Sequence, residues 1–214
     1  MTPVISVASD ALLLREVFGS LRFRKLGETM AKQDVHSSQL TYEDYLLFPD
    51  DGKRHEIIDG DHSVTPAPKT KHQKISFNLS LALGSFVKKG GIGLVFAAPY
   101  DVILSDENVV QPDLLFVSTA RASIVTDDNI RGAPDLVVEI ISETTRRKDE
   151  VTKRKLYERF GVQEYWIVDP ELETVKIYTR AQQSRALELS KEANDILTTI
   201  LLAGFELALA EIFQ

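Results

Sequence analysis

The chain has 214 residues, of which 43% are hydrophobic and 27% charged, and its 32 acidic against 25 basic residues give a net charge of −7. This composition is that of a globular chain with one main domain and excludes disordered, collagen-like and repetitive proteins. The absence of cysteine excludes a disulfide scaffold, an iron–sulfur cluster, a thiolate zinc site and a cysteine nucleophile, and it fits a cytoplasmic location.

Neither a membrane span nor a secretory signal is expected. No apolar run reaches the roughly 18 to 20 residues that a membrane helix needs, and the first ten residues contain no Lys or Arg. Residues 1–37 combine a weak helical pattern with a polar, charged stretch, which predicts an N-terminal arm, helical or flexible. The alternative is an unimportant extension ahead of a true start at Met30.

The main domain is predicted to span residues 38–214. Thr41 and Asp44 have the spacing of a capping box and begin a short helix that ends near Pro49. Residues 54–60 then predict a strand that runs into an Asp-Gly turn.

The strongest helical pattern begins at a second capping-box spacing, Thr70 to Gln73, and ends at Gly90 and Gly91. Its apolar residues recur at helical spacing: Ile75, Leu79, Ala82, Leu83 and Phe86.

Residues 93–99, 100–105 and 109–117 predict three strands, and their short connections make them antiparallel neighbours. Residues 132–142 form an apolar run of strand length, typical of a strand buried on both faces.

The C-terminal third predicts a helix, a hairpin and a closing turn. The segments are a helix over 147–160, strands over 164–168 and 174–180, and a tail over 196–213 with a strand, a turn and a helical turn. The whole order predicts an α/β (α+β) fold in which a mixed sheet is flanked by helices.

Glu139 lies in the middle of the apolar run 136–141. An ionised carboxylate buried there costs several kcal/mol unless it is paired or bound to a metal. Strand alternation puts Asp135 on the same face but about 13 Å away, so these two carboxylates cannot share one ion.

Two further carboxylates, Asp113 and Glu56, also stand beside apolar strand residues. Asp113 follows Pro112, which lacks a ladder donor and favours a strand edge open to a cleft. Three such carboxylates, no cysteine and only four histidines point to a hard cation, Mg²⁺ or Mn²⁺, rather than zinc. The alternative for each carboxylate is a structural ion pair or a bond to backbone N–H groups.

Lys153 shares a helical face with apolar residues, which predicts that its ammonium group points toward the sheet. The alternative is a surface pair with Asp149, four residues earlier. His72 either contacts the same cleft or is a core histidine.

Arg146, Arg147 and Lys148 form a basic group at the expected start of this helix, where phosphates are also attracted by the helix N-terminus. They are candidate nucleic-acid ligands. The alternative is a solvated charged face, and the net charge of −7 argues against tight non-specific DNA binding.

A set of motifs spread over about residues 40–213 resembles a large bacterial family of restriction-endonuclease-like proteins in the PD-(D/E)xK nuclease superfamily. The motifs are Gln111-Pro112-Asp113, the run Pro134 to Ile140, the spacing Asp149-x3-Lys153-x3-Tyr157, and the run Gly161 to Pro170.

This resemblance implies a restriction-endonuclease-like core with a divalent-metal site. Asp113 and Glu139 take the roles of the two metal-binding acids, and Glu56 completes the catalytic carboxylate cluster. The superfamily lysine is absent, because its position two residues after the acid is Ile141. Lys153 is the expected replacement.

Lys155 is the second candidate for the lysine role, although it faces elsewhere on the helical wheel. The function that the resemblance implies is a metal-dependent DNA endonuclease, expected to act as a homodimer. The competing interpretation is an inactive nucleic-acid-binding or interaction module on the same fold, and a third is a hydrolase of another phosphodiester.

Overall fold

The computed structural model describes residues 39–182 and 185–214. The predicted arm, residues 1–37, lies outside these residues. The helices of the described residues are α1 (Tyr42–Tyr45), α2 (Thr70–Gly90), α3 (Arg154–Phe160) and α4 (Leu209–Ile212). A π-helical turn, Lys148–Lys153, leads directly into α3, and two 3₁₀ turns cover Thr119–Ile124 and Arg180–Gln182.

The strands of the described residues form three sheets. In chain order they are β1 (Arg54–Ile58), β2 (Asp61–Thr65), β3 (Gly93–Ala97), β4 (Val102–Ser105), β5 (Asn108–Val110), β6 (Leu114–Ser118), β7 (Ile130–Arg131), β8 (Leu136–Ile140), β9 (Glu164–Asp169), β10 (Thr174–Thr179), β11 (Leu187–Ser190), β12 (Ile196–Thr198) and β13 (Glu206–Ala208).

The larger sheets have the strand orders β11-β10-β9-β8-β6-β3 and β2-β1-β5-β4-β7, and β12 and β13 pair separately. Both larger sheets are mixed, because β8 pairs with β9 and β4 with β7 in parallel while their other pairs are antiparallel. The predicted class, a mixed sheet flanked by helices, is confirmed.

Strand β8 separates two apolar clusters, as expected for a strand buried on both faces. Leu136 and Val138 pack with the apolar side of α2 and the C-terminal segment, whereas Val137 packs with α3 and with residues of the five-stranded sheet. Glu139 alternates with Val138 and therefore points to the side where α3 and the two sheets meet.

The predicted strand over 109–117 is wrong as a single element. It is divided at Gln111-Pro112-Asp113 into β5, which pairs with β4 and β1, and β6, which pairs with β3 and β8. Pro112 cannot donate a ladder hydrogen bond, so the chain leaves one sheet and enters the other there. The strands β3 and β4, predicted to be neighbours, consequently lie in different sheets.

The first capping box is confirmed, because the Thr41 N–H donates to Asp44 Oδ2 at 2.8 Å. The second is wrong: Thr70 is already helical, and the N-cap residue is Lys69, which makes no side-chain cap. Strands β2, β7, β11 and β13 were not predicted. Among the described residues, no helix has the length and apolar character needed to cross a membrane.

Candidate active site

A cleft of about 580 Å³ opens where β1, the β5–β6 junction, the end of β8, the π-helical turn and the start of α2 approach one another. The four residues predicted to be catalytic line this cleft: Glu56, Asp113, Glu139 and Lys153. All four are at least 96% buried as residues, with exposed fractions of 2% for Glu56 and 4% for the others.

Asp113 and Glu139 come from neighbouring antiparallel strands. Leu114 pairs with Val138, so continuing the register by one residue places Asp113 opposite Glu139. The Ile140 N–H donates to Asp113 Oδ2 at 2.8 Å, which agrees with this register. Side chains in directly opposed positions have Cβ atoms about 4.5 to 5.5 Å apart and share a face of the sheet.

Both oxygens of Asp113 have protein partners. Arg54 donates from a terminal guanidinium nitrogen to Oδ1 at 2.7 Å, and Oδ2 accepts from the Ile140 N–H and lies 3.1 Å from His72 Nε2. Burial would raise the pKa of Asp113, but the contacts with His72, Arg54 and Ile140 outweigh it and lower the pKa.

Lys153 is the central cation of the site. Its ammonium nitrogen lies 2.7 Å from Glu56 Oε1 and 2.8 Å from Glu139 Oε1, and 3.9 Å from Asp149 Oδ1. Burial would lower the pKa of Lys153, but Glu139, Glu56 and Asp149 together raise it, so the ammonium stays charged. The alternative partner Asp149 is therefore in contact with Lys153, but both residues are buried, so the contact is not a surface pair.

The π-helical turn brings a second lysine to the same acid. Lys148 Nζ contacts Glu56 Oε2 and donates to Ser63 Oγ at 2.7 Å. In an α-helix, Lys148 and Lys153 would be about 140° apart around the axis. The i→i+5 bonding of a π turn brings residues five apart toward one side, so both ammonium groups reach Glu56.

Glu56, like Asp113, has a lowered pKa. Burial opposes this, but Lys153 and Lys148 lower the pKa of Glu56 to about 2. The Gln111 N–H adds a hydrogen bond to Oε1 at 3.0 Å. These contacts hold both carboxylate oxygens of Glu56.

Glu139 has the opposite electrostatic balance. Burial, together with the charges of Asp149, Asp113 and Glu56, outweighs Lys153 and raises the pKa of Glu139 to about 8. A deficit of positive charge adds to the effect of burial, because four buried acids contact three cations of the described residues, Arg54, Lys148 and Lys153. The raised pKa favours the protonated form of Glu139 in the metal-free cluster.

The residues present fit a hard divalent cation. Asp113 and Glu139 supply oxygen donors, and Glu139 Oε2 has no hydrogen-bond or ion-pair partner among the described residues, since Lys153 and Tyr157 both contact Oε1. No group of three or more His, Cys, Asp or Glu in the described part of the chain could hold a metal ion. Mg²⁺ is commonly bound through one or two carboxylates, waters and substrate phosphates, so two acids suffice.

The raised pKa of Glu139 predicts how the metal-free protein responds to pH. Between about pH 4.5 and 8 the folded carboxyl keeps a proton that the unfolded chain releases, so this group lowers the free energy of unfolding as pH rises. We expect the free energy of unfolding of the parent to fall more than that of Glu139→Gln when the pH is raised from about 5 to 8. Chemical denaturation in the presence of EDTA measures both. Equal losses would contradict the assigned proton.

The three predicted nucleic-acid ligands lie in different environments. Arg146 donates to Asp169 Oδ2 at 2.6 Å, and Lys148 is held by Glu56 and Ser63. Arg147 is exposed and has no ion pair among the described residues. Lys155, the second candidate for the lysine role, is also exposed and does not line the cleft.

Sequence reasoning missed Arg54 and several contacts of the site. Arg54 was not singled out, although strand alternation from Glu56 puts it on the same face. Tyr157 donates from its hydroxyl to Glu139 Oε1 at 2.9 Å, a contact that its spacing of four from Lys153 could have indicated. No sequence signal indicates that the Gln111 N–H binds Glu56.

The fold is a pair of mixed sheets flanked by helices, and a buried cluster of three carboxylates and a lysine lines the cleft between them. A solved structure described as a putative nuclease belonging to DUF820, from Anabaena variabilis ATCC 29413, has this fold: TM-score 0.70, 21% identity, covering 81% of this chain and 97% of that one. The Uma2 family, described as "Putative restriction endonuclease", matches residues 42–210. The chain belongs to this family. No curated protein matches it.

Proposed function

We propose that this protein is a divalent-metal-dependent endonuclease that hydrolyses phosphodiester bonds in DNA. The observation that carries the proposal is the buried ammonium of Lys153, shared by Glu56 and Glu139, in an open cleft that also contains Asp113. Family membership supports nuclease activity at a general level. The metal requirement and the DNA substrate are inferred from the site.

Asp113 and Glu139 are the proposed ligands of Mg²⁺ or Mn²⁺, which when bound polarises a phosphate oxygen and lowers the pKa of its water. Lys153 stabilises the negative charge that develops on the phosphorus centre and orients the attacking water. Glu56 keeps Lys153 and Lys148 in place through its two oxygens. No covalent nucleophile is needed.

The alternative, an inactive nucleic-acid-binding or interaction module on the same fold, also has an observation in its favour. Both oxygens of Asp113 are engaged by protein groups, as in a structural ion pair. Incubating supercoiled plasmid with the protein and Mg²⁺ or Mn²⁺ separates the two functions. The endonuclease nicks or linearises the plasmid and EDTA stops it, whereas a module binds the plasmid without cutting it.

The proposal includes two properties beyond the site. Cleavage of both strands of a duplex is commonly carried out by two copies related by a two-fold axis, so we propose a homodimer, which light scattering can test. A DNA substrate and a cysteine-free chain agree with a cytoplasmic location.

Of the predicted DNA ligands, Arg147 is expected to contribute most to phosphate binding, because Arg146 and Lys148 are held by protein carboxylates. Arg147→Ala should weaken metal-free binding of a DNA duplex and reduce the salt dependence of the affinity by about one unit of slope. Fluorescence anisotropy at several salt concentrations measures both. An unchanged slope would show that Arg147 does not contact a phosphate.

A further inference from the structure

Arg54 is the cation closest to Asp113 and is not explained by the fold alone. Its side chain is 17% exposed and lines the cleft, and one terminal nitrogen donates to Asp113 Oδ1 at 2.7 Å and to the Gln111 carbonyl at 3.4 Å. An ion pair of this kind on the protein surface would add little to the stability of the fold. Here it neutralises a carboxylate that the proposed function assigns to a metal ion.

The charge of Arg54 does not depend on pH. Burial would lower its pKa, but Asp113, Glu139 and Glu56 raise it, so the guanidinium cannot release Asp113 by losing its proton. A divalent cation at Asp113 Oδ1 must therefore compete with Arg54. Two positive groups on one carboxylate oxygen repel each other, and the burial of Asp113 leaves little water to screen that repulsion.

The guanidinium also has donors to offer elsewhere. Its contacts with protein groups use one terminal nitrogen, and among the described residues the other terminal nitrogen and Nε have no partner. A guanidinium presents paired N–H donors in a geometry that matches a phosphate group. Arg54 lines the cleft in which the proposed substrate would lie.

We propose that Arg54 is a placeholder cation that occupies Asp113 in the absence of DNA and transfers to a substrate phosphate, which opens Asp113 to the metal ion. The inference rests on the proposed function. It makes the metal affinity of the free protein low and couples metal binding to DNA binding. Arg54 is thus a positioning residue for the metal and a direct ligand of the DNA backbone.

Two measurements on Arg54→Gln test this. With Mn²⁺ alone, isothermal titration should show binding about tenfold tighter than in the parent, a typical coupling between ligands of one site. With EDTA and a DNA duplex, binding should weaken and the salt slope should fall by about one. The two effects have opposite signs, whereas a merely structural role would weaken both.

Arg121→Gln is the matched control, because Arg121 pairs with the buried Asp135 at the other end of β8, with 3.6 Å between Nη1 and Oδ1. It should leave Mn²⁺ affinity unchanged. Arg54→Lys holds a carboxylate through a single hydrated charge, so its Mn²⁺ affinity should lie between those of the parent and Arg54→Gln. If Arg54→Gln does not fold, Arg54→Lys alone tests the proposal.

The outcomes separate this inference from the proposed function. Mn²⁺ binding to Arg54→Gln that equals or falls below that of the parent overturns the placeholder role while leaving the metal site intact. An unchanged DNA affinity overturns the transfer to phosphate. If neither the parent nor any Arg54 variant binds Mn²⁺, either alone or with a DNA duplex present, the metal site itself is absent and both proposals fail.

Discussion

Glu139→Gln is expected to lower metal-dependent plasmid cleavage by about a thousandfold or more, the upper end for losing one electrostatic element of an active site. The amide keeps the shape of the side chain and its oxygen can still accept from Tyr157, whose hydroxyl lies 2.9 Å from Oε1. It cannot supply the negative charge that a divalent cation requires. Lys153 retains Glu56 and Asp149, so no buried cation is left unpaired.

The same variant should fold normally. Removing a carboxyl whose burial raises its pKa also removes a desolvation cost, so the stability of Glu139→Gln at pH 8 should equal or exceed that of the parent. Mn²⁺ binding by isothermal titration provides a readout that does not depend on cleavage, and it should be lost. If the variant still binds Mn²⁺ but no longer cleaves DNA, Glu139 is not a metal ligand and contributes to cleavage in another way.

Asp135→Asn is the matched control, because Asp135 lies just before the opposite end of the strand that carries Glu139. Asp135 precedes β8, shares the face of Glu139 and accepts from the Ser118 N–H at 2.7 Å, a bond that an amide oxygen can also accept. About 13 Å of strand separates it from the cleft. Cleavage by this variant should match the parent. If it were lost equally, general damage to the sheet would explain both results.

The sequence was informative where a residue conflicts with its immediate surroundings. An acid in the apolar run around Glu139, or a proline before Asp113, stands out without a structure because burial and ladder bonding are local properties. The spacing of the apolar residues around Lys153 likewise predicted that its side chain points toward the sheet, because spacing determines which residues share a helical face. The structure brings these residues together in one cleft.

Interactions between distant segments could not be predicted in this way. Arg54 and Asp113 are 59 residues apart, and Lys148 and Glu56 are 92 apart. Two unpredicted features bring them together: the division of one apolar run at Pro112, which joins the two sheets, and a π turn in place of an α-helical start. Neither has a local pattern as clear as helical or strand periodicity.

Lys153→Met should lower cleavage by about two to three orders of magnitude, the scale for losing one electrostatic stabiliser of a transition state. Methionine keeps most of the stem and deletes the charge. Glu56 retains Lys148, but Glu139 loses its one cation contact among the described residues. Removing one partner of a buried ion pair costs about 3 to 5 kcal/mol, so thermal unfolding should shift clearly downward.

Two measurements on Lys153→Met distinguish a loss of stability from a loss of chemistry: the pH dependence of its stability and its affinity for DNA. Without Lys153, Glu139 avoids the cost of an unpaired charge by keeping its proton, so the loss of stability should be smaller at pH 6 than at pH 8.5. Metal-free affinity for a duplex should change little, because Lys153 is 4% exposed and contacts carboxylates. The control for the lysine assignment is Lys155→Met, at an exposed position two residues later, which should cleave like the parent.

If Lys155→Met loses activity while Lys153→Met keeps it, the cation of the reaction comes from another position on this helix. The cluster of Glu56, Glu139 and Lys153 is then structural.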